Sequence, residues 1–266
     1  MKTIYKFTFI TFLSAFASCS VFEDRSGCPN IMNVTIDERQ EERPSIMGRK
    51  TTVTLRNAGG GDGFRSTFTP SDYPSGYGIV VPKGTYSVSL VSCAGDSIIE
   101  KDAVRTSGGK EADSLFVNCI QTDCLGEETF LKALLFKQFT TLKVFLSNLP
   151  ASRPSLWVES SWNGLEMYTL NPVKGDYGCW MREIPDGPYE ARVPRCGGGP
   201  LTVRIGGTGN SSPEVSYDIY DEIVARGFDW NAASLSDITL TLDYLTGKVL
   251  SLTIICWDET LIETEI

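Results

Sequence analysis

Apolar and polar residues alternate at period two through most of this chain, a pattern that predicts strands rather than helices. Residues 31–36 (IMNVTI) and 52–56 (TVTLR) alternate in this way, with a charged loop between them. Residues 77–81 and 86–91 form the clearest pair, joined by Pro82-Lys83-Gly84-Thr85, a tight turn of the kind Pro and Gly enforce. In the second of these strands Tyr86, Val88 and Leu90 face one way and serines the other, which predicts a half-buried sheet. Short strands are expected at 97–100 and 114–119. Two apolar strands then follow at 130–136 and 142–146, broken by Lys137-Gln138 and closed by Asn148-Leu149-Pro150.

Past that break the same grammar returns. Strands are expected at 156–159, 166–170, 177–184, 189–193 and 201–205. Turns are expected at Trp162-Asn163-Gly164, at Lys174-Gly175-Asp176, at 185–188 and at 197–200. Ile219, Ile223 and Val224 lie at helical spacing and predict one short helix ending at Gly227. The chain closes on 238–244, the turn Thr246-Gly247 and 248–257, a terminal hairpin, followed by an alternating acidic–apolar tail to Ile266. The fold class is therefore all-β, with two tandem β-sandwich domains: 28–135 and, from the break near residue 136, 136–266.

The first 27 residues follow a different pattern. Lys2 and Lys6 precede a mostly apolar run from residue 4 to 16, and the small residues Ala17 and Ser18 lead into Cys19. This predicts a signal peptide at 1–18 ending in a lipobox, with Cys19 lipidated as the first mature residue and 19–27 a polar tether. Phe16 departs from the branched aliphatic residue more usual three places before the cysteine, and an ordinary cleaved signal is the alternative. The apolar run is too short and too interrupted (Thr8, Thr11, Ser14) to remain as a spanning helix. Glu23 and Asp24 resemble acidic export signals of surface lipoproteins; a solvated linker reads equally well.

Charge and chemistry narrow the function. The net charge is −9, and −11 once Lys2 and Lys6 are removed, which argues against nucleic acid and against anionic membrane surfaces as partners. The chain contains no histidine, which removes Ser-His-Asp and Cys-His catalysis and every His-containing zinc site. Ser107-Gly-Gly-Lys110 matches Ser-x-x-Lys, but two glycines oppose the helix such a nucleophile needs. Gly59 to Gly63 lacks the Lys-Ser/Thr and the following helix of a phosphate loop. Carboxylate pairs such as Glu159 with Asp176 or Asp218 with Glu222 are expected in any acidic protein. No enzyme activity, cofactor or metal is expected. Besides Cys19 there are seven cysteines; Cys179 and Cys196 flank a short strand–turn unit and are the favoured disulfide, with buried free thiols the alternative for the others.

Several stretches together resemble one family: Cys19 followed by Glu-Asp-x-Ser-x-Cys28-Pro29, the turn–strand Val81-Pro-Lys-Gly-Thr-Tyr86, the seam Lys143-Val-x-Leu-x-x-Leu149-Pro150, and the hairpin Leu242-Asp-Tyr-x-Thr-Gly247 to Trp257. They are similar to the FimB-like, minor-fimbrium anchor lipoproteins of Bacteroidales type V fimbriae. The resemblance implies two transthyretin-like (immunoglobulin-like) sandwiches, a lipid-anchored and surface-exposed place at the outer membrane, and no catalysis. The expected role is a fimbrial anchor that holds the filament base and limits its length, with shaft subunits as partners through β-strand addition at a sheet edge. The C-terminal residues 248–266 are a candidate donor, or equally the last strand and frayed end of the second domain. A shaft or tip subunit is the nearest rival. A glycan-binding surface lipoprotein is the other, motivated by Trp157, Trp162, Trp180, Trp230 and Trp257; coplanar, solvent-facing rings would support it and buried rings would support the anchor.

Overall fold

A computed structural model describes residues 28–37, 44–59, 63–93, 95, 97–148, 153–206, 213–255 and 261–264. The period-two alternation becomes strands throughout, because a residue whose neighbours face opposite ways can bury every second side chain only in extended backbone. The first half runs β1 (Asn30–Ile36), a single helical turn α1 (Pro44–Met47), β2 (Thr51–Asn57), β3 (Phe64–Phe68), β4 (Tyr77–Val81), β5 (Gly84–Ser92), β6 (Ile98–Ile99), β7 (Ala103–Arg105), β8 (Phe116–Cys124), β9 (Glu128–Ala133) and β10 (Phe136–Lys137). The second half continues with β11 (Phe139–Ser147), β12 (Ser155–Glu166), β13 (Pro172–Trp180), β14 (Arg182–Glu183), β15 (Tyr189–Pro194), β16 (Leu201–Gly206), β17 (Pro213–Asp218), the short helix α2 (Tyr220–Ala225), β18 (Asp237–Asp243), β19 (Val249–Ile255) and β20 (Leu261–Thr264). The fold class is all-β, and its sheets pack as sandwiches.

Both halves use one strand plan. In the first, β1 lies between β4, antiparallel, and β9, parallel. Opposite stands a five-stranded sheet ordered β10-β8-β5-β2-β3. In the second, β11 lies between β15, antiparallel, and β18, parallel, with β12 flanked by β13 and β16 and β17 beyond. Each half thus sets its opening strand beside its fourth main strand and, in parallel, beside its seventh. Met32, Val34, Ile79, Val88, Leu90 and Leu131 fill the first core; Leu142, Val158, Val203, Ile238 and Leu240 fill the second.

Two features depart from the sequence expectation. Trp162-Asn163-Gly164 and Lys174-Gly175-Asp176 are not turns but lie inside β12 and β13, where the ladder shifts register between Ser160 and Trp162 and again between Trp162 and Gly164. Of residues 166–170, Glu166 ends β12 and the others form the turn after it rather than a strand. The second departure is the segment between β5 and β8. It leaves the first sandwich, pairs β7 with the end of β12, and returns. Val91, Val117, Val104, Leu165 and Met167 close a third apolar cluster there, and the Ser89 hydroxyl donates to the Met167 carbonyl at 2.7 Å. The serine face of β5, read as solvated, is therefore buried at Ser89 and Val91.

Candidate functional site

The two sandwiches differ at one edge. In the second, the far side of β18 carries β19, antiparallel, and β19 carries β20. In the first, the equivalent strand β9 pairs with β1 and, among the described residues, with nothing beyond. The backbone orientation follows from two bonds: the Ile31 amide donates to the Glu127 carbonyl at 2.8 Å and the Asp37 amide to the Ala133 carbonyl at 2.7 Å. In a parallel ladder these fix the alternation, so Thr129, Leu131 and Ala133 turn their main-chain groups to β1 while Glu128 and Phe130 turn theirs outward.

Apolar side chains frame this edge. Phe130 is 75% exposed and Leu125, in the β8–β9 turn, is 66% exposed. On the same outer sheet face Val80 is 65% exposed, beside Ile31 in the β1–β4 register. Ile120, on the core face of β8, is only partly covered. A third-row strand laid along β9 would pair with its outward amides and carbonyls and cover these groups, as β19 covers the corresponding region of the second half.

The other sequence candidates are distributed as follows. Cys19 lies outside the described residues, as do the lipobox, the tether and Trp257. Cys179 and Cys196 both sit in the second core, as free thiols rather than a disulfide. Each has its own partner, the Tyr177 hydroxyl at 3.1 Å from Cys179 Sγ and the Ser160 hydroxyl at 3.4 Å from Cys196 Sγ. Burial pushes the Cys196 thiol up to about 12, against a smaller lowering by Ser160. Glu159 is paired with Arg204, and Asp218 accepts the amides of Leu201 and Tyr220, so these carboxylates hold strands and a helix start in place. Glu222 pairs with Arg226 one turn along α2. Among the described residues no His/Cys/Asp/Glu group has metal-binding geometry. Trp230 is buried and stacked on Tyr220, and Trp162 is packed on the second core with its Nε1 donating to the Gly198 carbonyl at 2.8 Å. Trp157 and Trp180 meet edge to face at 73°.

The fold as a whole has known counterparts. The fimbrial anchor protein Mfa2 of Porphyromonas gingivalis superimposes with a TM-score of 0.58 at 12% identity, over 89% of this chain and 100% of its own. A candidate polysaccharide-binding protein of Bacteroides thetaiotaomicron gives 0.61 at 11%, over 90% and 98%. A candidate adhesin of Bacteroides ovatus gives 0.57 at 12%, over 92% and 98%. The chain shares their fold. No family profile matches it, and no curated protein resembles it in sequence.

Sequence reasoning missed the β9 edge. The signal was present in the alternation of Glu128, Phe130 and Lys132 on one face, a charge–aromatic–charge row that suits an exposed edge strand.

Proposed function

We propose that this protein is a lipid-anchored outer-membrane subunit that holds the base of a surface fimbrium, with Cys19 as the lipidated residue and with no catalytic role. The observation that carries the reading is the outer side of β9, unpaired among the described residues, where the second half of the same chain places β19. A filament subunit would supply the missing strand through main-chain hydrogen bonds, with apolar side chains over Phe130 and Ile120. The fold shared with the Mfa2 anchor over nearly all of both chains supports this reading. Lipidation follows from the sequence pattern at 1–19 alone, and it supplies attachment that an acidic protein lacks.

The test is made in cells. Cys19→Ser should release a folded protein from the membrane fraction, and filaments should be shed into the medium. Phe130→Pro should leave the protein membrane-bound and folded yet also shed filaments. Filaments that stay attached at normal length in both variants would overturn the anchor reading.

Glycan binding is the second reading. The Trp157–Trp180 pair beside Glu159 and Arg204, with Trp180 45% exposed, is the observation that favours it. The rings are not coplanar and Trp230 is buried, so the aromatic surface a sugar would stack on is small.

A further inference from the structure

Where the β5–β8 excursion crosses the outer face of β2 and β3 it leaves a cavity of about 450 Å³. Its walls carry Arg56, Arg65 and Lys101 as cations, with Asp102, Tyr168 and Thr54. Arg56 pairs with Asp102 at 2.6 Å and lies 4.1 Å over the Tyr168 ring. Arg65 donates from one nitrogen only, to the Glu100 and Lys101 carbonyls at 3.1 and 2.9 Å, which leaves guanidinium donors over. Thr54 is 5% exposed, and its hydroxyl has no hydrogen-bond partner. Buried hydroxyls are nearly always satisfied, so an orphan beside a cation-lined cavity points to a missing polar group.

We infer that this cavity is a binding site for an acidic saccharide, a sugar ring carrying a carboxylate. The chain carries a net −9, yet among the described residues this recess holds three cations against one carboxylate, so it concentrates positive potential on a molecule that otherwise repels anions. A recess of this volume is in the range of small-ligand sites, and it lies across a sheet face rather than along a strand edge. The recess also mixes its groups. Arg65 and Lys101 donate to an oxyanion, while Asp102 and Thr54 match hydroxyls, a combination a bare anion would not require. This site is independent of the β9 edge and of the fimbrial reading.

The test uses the purified full chain in detergent and calorimetric titration with tetragalacturonate, its uncharged methyl ester, hexaglutamate and sodium sulfate. Tetragalacturonate should bind at least about tenfold tighter than the ester, with affinity falling as salt rises. Lys101→Glu should weaken it by at least about tenfold, and since the Lys101 side chain makes no ion pair among the described residues the variant should melt like the parent. Arg65→Gln should also weaken it, and Trp180→Ala should not. The inference is overturned by equal binding of the ester, by hexaglutamate binding as tightly, by sulfate competing as well as the sugar, by unchanged affinity in Lys101→Glu, or by no binding at all. None of those outcomes touches filament attachment, which reads the other site.

Discussion

Cys196 shows how a single buried group makes stability depend on pH. Its folded thiol stays protonated to about 12, whereas an ordinary thiol ionises near 9.0. Between those values the unfolded chain loses a proton that the folded chain keeps, so the contribution is complete below pH 9 and declines above it by about 1.4 kcal/mol per unit. Urea titrations of the parent and Cys196→Ala at pH 8 and 10.5 should therefore show the stability gap between them shrinking by about 2 kcal/mol at the higher pH. A gap that does not change with pH would mean the thiol is solvated. Thiol-specific reagents should label exposed Cys28 in the native state and spare Cys196. Residue chemistry was otherwise only partly legible in the sequence. The glycines at 164 and 175 read as turn formers, but both, like Gly178 in its expected strand, are points of close approach. A Cβ on Gly175 would lie 2.4 Å from the Asn163 side chain, and one on Gly178 would lie 2.5 Å from the Trp157 ring. Both uses of glycine leave the same mark in a sequence, and only the cross-strand neighbour separates them.

Among the elements, strands with strong alternation were legible nearly to the residue, as at β4 and β15, because one buried face dictates register. Short strands such as β3, β7 and β17 were not, since their burial is set by distant partners rather than by their own pattern. The β9 edge left only the charge–aromatic–charge row of Glu128, Phe130 and Lys132 as its mark, because an edge is defined by which strand is missing. Its asymmetry makes a sharp prediction. Phe130 directs its amide away from β1, so Phe130→Pro should change stability by no more than about 1 kcal/mol. Thr129 directs its amide into the ladder, so Thr129→Pro should cost about 3 kcal/mol or more. Denaturant midpoints of the two variants decide it, and equal losses would mean that the outward side of β9 is already paired.

At the scale of the whole molecule the question is whether the halves are separable. We propose two folding units, 28–135 and 136–266, each with its own core. The seam between them is more than a linker. β7 pairs with β12 and Ala112 sits in the second core, while the Arg49 guanidinium ties Ser114 of the same excursion back to the first half through bonds of 3.0 and 2.7 Å. At the junction Gln138 accepts from Arg195 at 2.9 Å, and Lys137 meets Asp237 at 2.5 Å, both contacts within 136–266. A fragment of residues 136–266 keeps these contacts and nearly all of the second core, but it loses the pairing of β10 with β8, the first core around Phe139, and the cover of Val104 and Leu115 over Leu165 and Met167. Exposing those two side chains costs about 3 kcal/mol or more. The fragment should therefore melt cooperatively, about 10 °C below the corresponding transition in the full chain. Adding residues 93–115 back in trans should not restore it, because a short excursion with two brief strands has no core of its own. Circular dichroism melts measure both. A fragment without a cooperative transition would show that the excursion and the second sandwich share one indivisible core, and the folding boundary would then move back to residue 93.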